Sequence, residues 1–470
     1  MGALLFPGFA APTSRPAVKL GDEYLTQTQL VRRARAHLAG LVKAGLNPGD
    51  RVGVWTKPTL DTVITLSAQA AAGYISVPLN PKLGPKERDH ILSDAAPKLV
   101  LENAYEENPD EYHVPEWQEI SDQPALILYT SGTTGPPKGA LITARNIAAN
   151  LDGLAEAWQW DEQDCIVHSL PLFHVHGLVL GLFGCLRRGG CLRWVPRFSP
   201  QAIATELEAS EGILFAVPTM YYRIAEALEG DLALREQMAK AKRLVSGSAG
   251  LPMREHDRIR QLTGQAVFER YGLTETLICC AVPAAGGPRP GLVGPPVPGV
   301  ELRLVDEHRE PTIPSDGTTI GEVAVRGKSV FRGYLGRPDA TSAVMSEQGW
   351  FFTGDLATRN PDGSVRHVGR RATDLIKTGG YKVGAGEVEA ALLDMPGVAE
   401  AAVIGRPDPD LGERIIAFIV CRDGADLEAD TLIEGVASEL TPHKRPREIH
   451  FLPALPRNAM GKVQKKLLPS

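Results

Sequence analysis

An α/β fold is predicted for this chain: a large N-terminal domain of α/β subdomains plus a small β subdomain (residues 1–371), then a smaller C-terminal α+β domain (residues 372–470). Three observations predict it. Short apolar runs alternate with amphipathic segments of helical period through residues 26–262, the pattern of strands joined by crossover helices. Between Pro288 and Leu356, Gly and Pro become frequent and short β runs dominate. After Gly369 helix and strand patterns return, which places a boundary near Arg371. A chain of 470 residues also exceeds the usual size of one core.

Thr26–Ala44 reads as an amphipathic helix that Gly45 is placed to end. Asp50-Arg51 leads into a strand at Val52–Trp55, Leu60–Ala72 reads as a helix, and Ile75–Leu79 and Ala125–Leu128 as apolar strands. Leu170–Leu186 is apolar, but histidines and glycines interrupt it and it is too short for a membrane span, so it reads as a buried segment. Gly212–Val217 is a predicted strand, Thr219–Leu228 a helix with Thr219 as its N-cap, Arg243–Ser246 a strand and Arg254–Leu262 a helix. Strands follow at Glu301–Val305 and Gly321–Arg326. The last region contains a helix at Val388–Leu393, strands at Val398–Ile404 and Ile415–Val420, and a helix at Leu432–Leu440.

Net charge is −6 without a polybasic run, which argues against a nucleic-acid or membrane-surface partner. An anionic substrate would then need a local positive site. The six cysteines (Cys165, Cys185, Cys191, Cys279, Cys280, Cys421) contain no C-x-x-C pair and read as reduced thiols of a cytoplasmic enzyme. Met1–Ala11 lacks the basic start of a secretory signal; the first acidic residue is Asp22, so an organelle address stays open.

The strongest local signal is Tyr129-Thr130-Ser131-Gly132-Thr133-Thr134-Gly135-Pro136-Pro137-Lys138-Gly139, after the Ala125–Leu128 strand. Glycine supplies backbone freedom and exposed N–H groups, the hydroxyls add donors, and Lys138 adds a cation, an inventory suited to a polyphosphate. The spacing is not that of a Walker A loop.

This loop resembles the phosphate-binding signature of the adenylate-forming superfamily, which includes acyl-CoA synthetases, adenylation domains and firefly-type luciferases. Four further stretches match that family's motifs in order: Arg270-Tyr271-Gly272-Leu273-Thr274-Glu275; Trp350-Phe351-Phe352-Thr353-Gly354-Asp355; Arg370-Arg371 through Gly379-Gly380-Tyr381-Lys382 and Glu387; and Pro456-Arg457-Asn458-Ala459-Met460-Gly461-Lys462. The resemblance implies an ATP-dependent acid–thiol ligase with MgATP and coenzyme A as co-substrates. Thr130, Ser131, Gly132, Thr133, Thr134 and Lys138 would hold the phosphates, Arg270, Tyr271 and Gly272 would also bind ATP, an arginine of the Arg370-Arg371 pair would bond ribose or phosphate, and Thr274 would be catalytic with Glu275 and Lys462. Glu275 is a hard oxygen ligand of the kind Mg²⁺ uses beside phosphate oxygens. Asp355 can accept both ribose hydroxyls. The small residues Gly247, Ser248 and Ala249 let a flat adenine lie against backbone. Lys462 supplies a preorganised ammonium where charge builds as the acid attacks the α-phosphate.

The resemblance also implies a mobile C-terminal domain that alternates between two half-reactions. Two readings of the hinge compete. Counting forward from Gly369-Arg370 leaves one residue too many before Leu375-Ile376-Lys377; counting back from Lys377 makes Arg371 the motif arginine and puts the pivot at Thr373-Asp374. The second is preferred because it needs no insertion. Lys377, Gly379, Gly380 and Tyr381 would then line the path of the CoA thiol.

For the acid, Val217–Arg223, Gly272–Leu277, Leu170–Gly181 and Ala372–Lys377 closely resemble malonyl-CoA synthetases, including those that accept methylmalonate. The resemblance implies that Arg223 and Ser248 hold a distal carboxylate. Arg289, in a Gly-Pro-Arg-Pro-Gly loop, is a second candidate cation. His174 and His176 read as packed or pocket-lining, His176 at the acid site, because no further ligands are spaced for a metal. Ile278-Cys279-Cys280 departs from the more polar residues expected after Leu277. Alternatives are a ligase for another short acid, or an adenylation enzyme that loads a separate carrier protein.

Overall fold

The computed structural model describes residues 3–130, 136–370, 374–457 and 463–469. It is an α/β protein built on four sheets. The five-stranded sheet orders Leu99–Leu101, Arg51–Trp55, Ile75–Leu79, Pro124–Thr130 and Lys138–Thr143, parallel except for the last pair. The eight-stranded sheet runs Leu277–Ala281, Val267–Leu273, Arg243–Ser246, Ile213–Ala216, Cys165–His168, Cys191–Trp194, Pro16–Leu20 and Glu23–Thr26. Its strands are parallel except for the outermost pair at each edge.

One hydrophobic core joins these two sheets, with Val52, Val54 and Leu126 on one side and Ile166, Leu192, Ile213 and Phe215 on the other. The Leu60–Ala71 helix between them is buried nearly all round, as a helix packed on several sides must be. The Gln27–Lys43 helix starts at a capping box: Thr26 accepts from the Gln29 N–H, and the Gln29 side chain accepts from the Thr26 N–H. Strands Ile75–Leu79 and Arg243–Ser246 fall at the expected residues. The edge hairpin of Pro16–Leu20 and Glu23–Thr26 was not among the expected elements. The segment read as buried turns out to be a π-helical stretch, His176–Phe183, continued by Gly184–Arg188.

The β subdomain is an antiparallel four-stranded sheet, Val300–Val305, Gly321–Gly327, Phe351–Arg359 and Val365–Arg370. The C-terminal unit pairs Tyr381–Gly384, Leu375–Thr378, Gly412–Cys421, Val398–Asp408 and Glu448–Phe451 in one sheet. The Ala385–Leu393 and Ala429–Glu439 helices pack on it, and Val388, Leu392, Leu432 and Val436 fill a core separate from that of the large sheets. No helix among the described residues is long and apolar enough to cross a membrane.

One expected cap is corrected. The helix over Pro218–Glu229 has Val217 as N-cap and Pro218 in its first turn, so Thr219 already lies inside it and caps nothing. Proline fits the first helical turn because its missing N–H would have no intrahelical partner there.

Candidate active site

Strands Ile213–Ala216, Arg243–Ser246 and Val267–Leu273 end side by side, Ala216 pairing with Ser246 and Ser246 with Glu269. In open parallel sheets ligands bind beyond such carboxyl ends. The third strand delivers Arg270 there. Arg270 is 7% exposed, and its Nε and Nη2 have no hydrogen-bond partner among the described residues. Burial lowers its pKa to about 10, so it stays charged at neutral pH. Gly247 makes the space: a Cβ there would stand 2.3 Å from the guanidinium carbon.

His176 faces the same charge. Burial, then the positive field of Arg270, hold its pKa well below the usual histidine range, and neither ring nitrogen has a partner among the described residues. Its ring packs 5.7 Å from that of Phe215, at the end of the neighbouring strand. The Ser246 hydroxyl is also buried and unpartnered. Leaving a polar atom buried and unpaired costs about 1–3 kcal/mol, more if charged. Arg270 and His176 therefore form a positive, hydrogen-bonding end on the Phe215 face of the sheet that suits a carboxylate. Burial lowers the pKa of neighbouring His174 to about 4, which keeps it neutral.

The Gly247–Gly250 turn rims this end. Ser248 adopts a left-handed φ of 72°, and Ser248, Ala249 and Gly250 are exposed. Glu269 holds the turn from beneath, accepting from Leu251 N–H (3.2 Å), Gly291 N–H (2.9 Å) and His256 Nε2 (3.0 Å). Sequence reasoning missed Glu269; its one signal was a carboxylate placed just before Arg270 in an otherwise apolar strand.

The phosphate end is built on the hairpin of Pro124–Thr130 and Lys138–Thr143, in which Thr130 pairs with Lys138. Ser131, Gly132, Thr133 and Thr134 lie outside the described residues. Lys138 Nζ lies 5.2 Å from the centre of the Tyr334 ring. The Tyr334 hydroxyl donates to Glu275 Oε1 at 2.8 Å, and Glu275 is 8% exposed. Thr274 is half-buried in the same turn. Tyr334 was also missed; its signal was an aromatic after Gly333 in a stretch that read only as loop.

At the third corner the Tyr271 hydroxyl donates to Asp355 Oδ2 at 2.7 Å, and Arg370 Nε lies 2.9 Å from Oδ1. Asp355 and Arg370 are direct partners in the antiparallel β ladder. The Arg370 contact is an ion pair outside hydrogen-bond alignment, so Oδ1 keeps room for a donor. Burial pushes the Asp355 carboxyl up, but His367, Arg370 and Tyr271 together hold it below the usual range. Arg370 is thus the arginine on Asp355, which corrects the preference for Arg371. The Val365–Arg370 strand runs through Arg370. Arg371 and Thr373 lie outside the described residues. Asp374 accepts from the Arg370 N–H at 2.8 Å.

Other candidates stand apart from this constellation. Arg223 is exposed on the Pro218–Glu229 helix with no ion-pair partner among the described residues. Arg289 pairs with Asp362 at 2.6 Å and with Ser364 Oγ at 3.0 Å, and is 58% exposed. Lys377 and Tyr381 flank a tight hairpin whose turn residues, Gly379 and Gly380, have φ of 56° and 82°. That two-residue turn needs positive φ at both positions, a backbone reason for both glycines. Tyr381 stacks on His443, ring centres 4.0 Å apart. Lys462 lies outside the described residues. Gly272 sits at a bulge in its strand.

The AMP-binding enzyme family profile matches residues 9–335, and the AMP-binding enzyme C-terminal domain profile matches residues 387–462. A mitochondrial malonate–CoA ligase of Homo sapiens is 40% identical over 488 residues, covering 92% of this chain and 84% of that protein. Among solved structures, a malonyl-CoA ligase ternary product complex with methylmalonyl-CoA and AMP bound is 51% identical, with a TM-score of 0.72 over 96% of this chain and 100% of that one. ATP-bound MatB from Rhodopseudomonas palustris is 33% identical, with a TM-score of 0.89 over 99% and 98%.

Proposed function

The chain belongs to the AMP-binding enzyme family, and on that premise we propose that it ligates malonate or methylmalonate to coenzyme A through an acyl-adenylate. The observation that carries the choice of acid is the buried guanidinium of Arg270 at the strand ends, whose Nε and Nη2 lack a partner among the described residues. A monocarboxylic acid would leave that charge unpaired; the distal carboxylate of a short dicarboxylic acid would meet it, with His176 and the Ser248 turn at its sides. Arg223 would close over the acid from the solvent side. The malonate–CoA ligase and malonyl-CoA ligase among the relatives support the same substrates.

In the first half-reaction a carboxylate oxygen attacks the α-phosphorus of ATP, and the bond to pyrophosphate breaks. Lys138 and the Thr130–Thr134 loop bind the phosphates, and Lys462 stabilises the leaving charge. Asp355 holds the ribose, presenting Oδ1 to a hydroxyl. Glu275 fits a Mg²⁺ role: it is a recessed carboxylate with one oxygen fixed by Tyr334 and the other without a partner among the described residues. When bound with ATP, the metal neutralises phosphate charge. In the second half-reaction the CoA sulfur attacks the acyl carbon and the bond to AMP breaks. The Lys377–Tyr381 hairpin is proposed for the CoA path.

Residues 372–470 are proposed as a lid swinging about Thr373-Asp374 against residues 1–371. The neighbours support this reading: the 51% identical product complex superimposes less well than the 33% identical ATP-bound protein. Closer sequence with poorer superposition fits a difference in domain placement. A cytoplasmic site is part of the proposal; the human relative is named mitochondrial, and cell fractionation decides the compartment.

The test is thioester formation, read by mass spectrometry, with ATP, Mg²⁺, CoA and malonate, methylmalonate, succinate, acetate, butyrate or octanoate. Dominance of malonate and methylmalonate is expected. Dominance of monocarboxylates would overturn the acid assignment, and products formed only on a carrier protein would overturn the CoA assignment.

A further inference from the structure

Lys465 follows Lys462 by three residues, and its ammonium lies between two carboxylates: Asp374 Oδ1 at 2.5 Å and Glu389 Oε1 at 2.7 Å. The three side chains are 15%, 17% and 20% exposed, so the group is largely shielded from water and salt. Burial alone would lower the lysine's pKa, but the two carboxylates outweigh it and keep the ammonium charged.

Each partner is itself fixed. Asp374 belongs to the turn that leaves the Val365–Arg370 strand. Its Oδ2 accepts from Arg370 N–H at 2.8 Å, its own N–H donates to the Arg370 carbonyl at 2.6 Å, and Ala385 N–H donates to its carbonyl at 2.7 Å. Arg370 in turn pairs with Asp355. Glu389, on the Ala385–Leu393 helix, accepts from Val403 N–H at 2.7 Å. On the other side, Arg457 and Val463 form an antiparallel bridge, and Gln464 N–H donates to the Pro456 carbonyl at 2.7 Å. These contacts clasp together the two ends of the stem that flank residues 458–462 in the sequence. One ammonium therefore ties that stem both to the C-terminal domain and to the turn beside the Asp355–Arg370 pair.

We propose that Lys465 is a positioning residue for the first half-reaction: through Asp374 it sets where the Lys462-bearing stem stands relative to the hinge turn, while Glu389 only anchors it to the C-terminal domain. This rests on the acid–CoA ligase reading. The chemistry gives the effect a direction. Lys462 acts on the leaving pyrophosphate, which is gone before the thiol attacks, so misplacing the stem should slow adenylation and spare thioester formation.

The experiment compares Lys465→Met, Lys465→Arg, Asp374→Asn and Glu389→Gln in the full-length protein. ATP–pyrophosphate exchange reads the first half-reaction, CoA capture of supplied acyl-adenylate reads the second, and hydrogen exchange reads the Gln464 amide. For Lys465→Met we expect a loss of tenfold or more in exchange, less than threefold in CoA capture, and faster hydrogen exchange at Gln464. Lys465→Arg should restore most of the first activity. Glu389→Gln, which leaves the hinge-turn contact in place, should lower the melting temperature while keeping adenylation within threefold. If Lys465→Met does not fold, Asp374→Asn, which keeps the Lys465–Glu389 pair, should show the same selective loss. Equal loss of both half-reactions, or adenylation within threefold of wild type with unchanged protection at Gln464, would overturn the proposal. Absence of adenylation in the wild type would instead overturn the ligase reading, and hydrogen exchange would still decide whether Lys465 holds the stem.

Discussion

Gly247 and Arg270 occupy one space: a Cβ on Gly247 would stand 2.3 Å from the guanidinium carbon, and the guanidinium behind it has two buried nitrogens without partners among the described residues. Gly247→Ala must therefore displace Arg270, whose surroundings are strands of the same sheet and cannot yield. The expected result is a hundredfold or greater loss in kcat/KM for malonate. Retained malonate activity would show that Arg270 does not hold the acid.

Arg270→Met removes the charge while keeping the volume. If the guanidinium pairs with the distal carboxylate, the loss on malonate should correspond to about 3–5 kcal/mol, as for breaking a buried ion pair. Butyrate should be hardly affected, and the ligand-free protein should melt higher because an unpaired buried charge is gone. Arg223→Ala should cost less, since exposed pairs are worth about 0–1 kcal/mol. Parallel loss on malonate and butyrate in Arg270→Met would count against carboxylate pairing.

Tyr334→Phe deletes the hydroxyl that donates to Glu275. A hydrogen bond to a charged group contributes about 1.5–3 kcal/mol. Adenylation should fall roughly tenfold to a hundredfold on that scale, with a higher Mg²⁺ concentration needed for half-maximal exchange. An unchanged Mg²⁺ dependence would remove Tyr334 from the metal site.

Chelation should abolish the first half-reaction. Among the described residues no group of three or more His, Cys, Asp or Glu side chains could hold a metal, so the ion would depend on Glu275 together with phosphate oxygens. Excess chelator is expected to stop ATP–pyrophosphate exchange and sparing Mg²⁺ to restore it. Exchange that continues in chelator would refute the role of Glu275.

Acid should destabilise the fold before its carboxylates titrate. Burial lowers His37 and His168 to about 3 and His174 to about 4, against an ordinary value of 6.5. Unfolding therefore takes up protons below pH 6.5, and stability is lost as pH falls from there toward the folded values. Each histidine should cost about 2 kcal/mol by pH 5. His176, also held well below the ordinary value, adds a fourth such term; denaturant titrations between pH 7 and 5 measure this, and His37→Gln should remove about a quarter of the change. Stability flat across that range would mean that these rings are hydrated.

The legible parts of the fold were those with local causes. Helix Gln27–Lys43 begins where Thr26 and Gln29 can cap each other. The apolar run Ile75–Leu79 is a strand buried in a parallel sheet, where period alone suffices. The Pro16–Leu20 and Glu23–Thr26 hairpin was missed because it completes a sheet whose next strand, Cys191–Trp194, lies far along the chain. Thr219 looked like a cap because Pro218 beside it starts the helix instead.

What the sequence determined by itself is the chemistry's inventory: a hydroxyl- and glycine-rich loop ending in Lys138, a carboxylate at Glu275, another at Asp355, and a lysine near the C-terminus. Each is a short, contiguous pattern, so its meaning survives without coordinates. What only the tertiary structure decided is the state of each charge. Arg223, Arg270 and Arg289 are equal as letters, yet one is exposed, one is buried with two nitrogens lacking a partner among the described residues, and one is held by Asp362. Whether a guanidinium is free to bind depends on what folding places around it, and those neighbours come from distant segments: Gly247 and His176 for Arg270, Asp362 for Arg289. Burial and pairing are sums over such contacts, and no local pattern carries them.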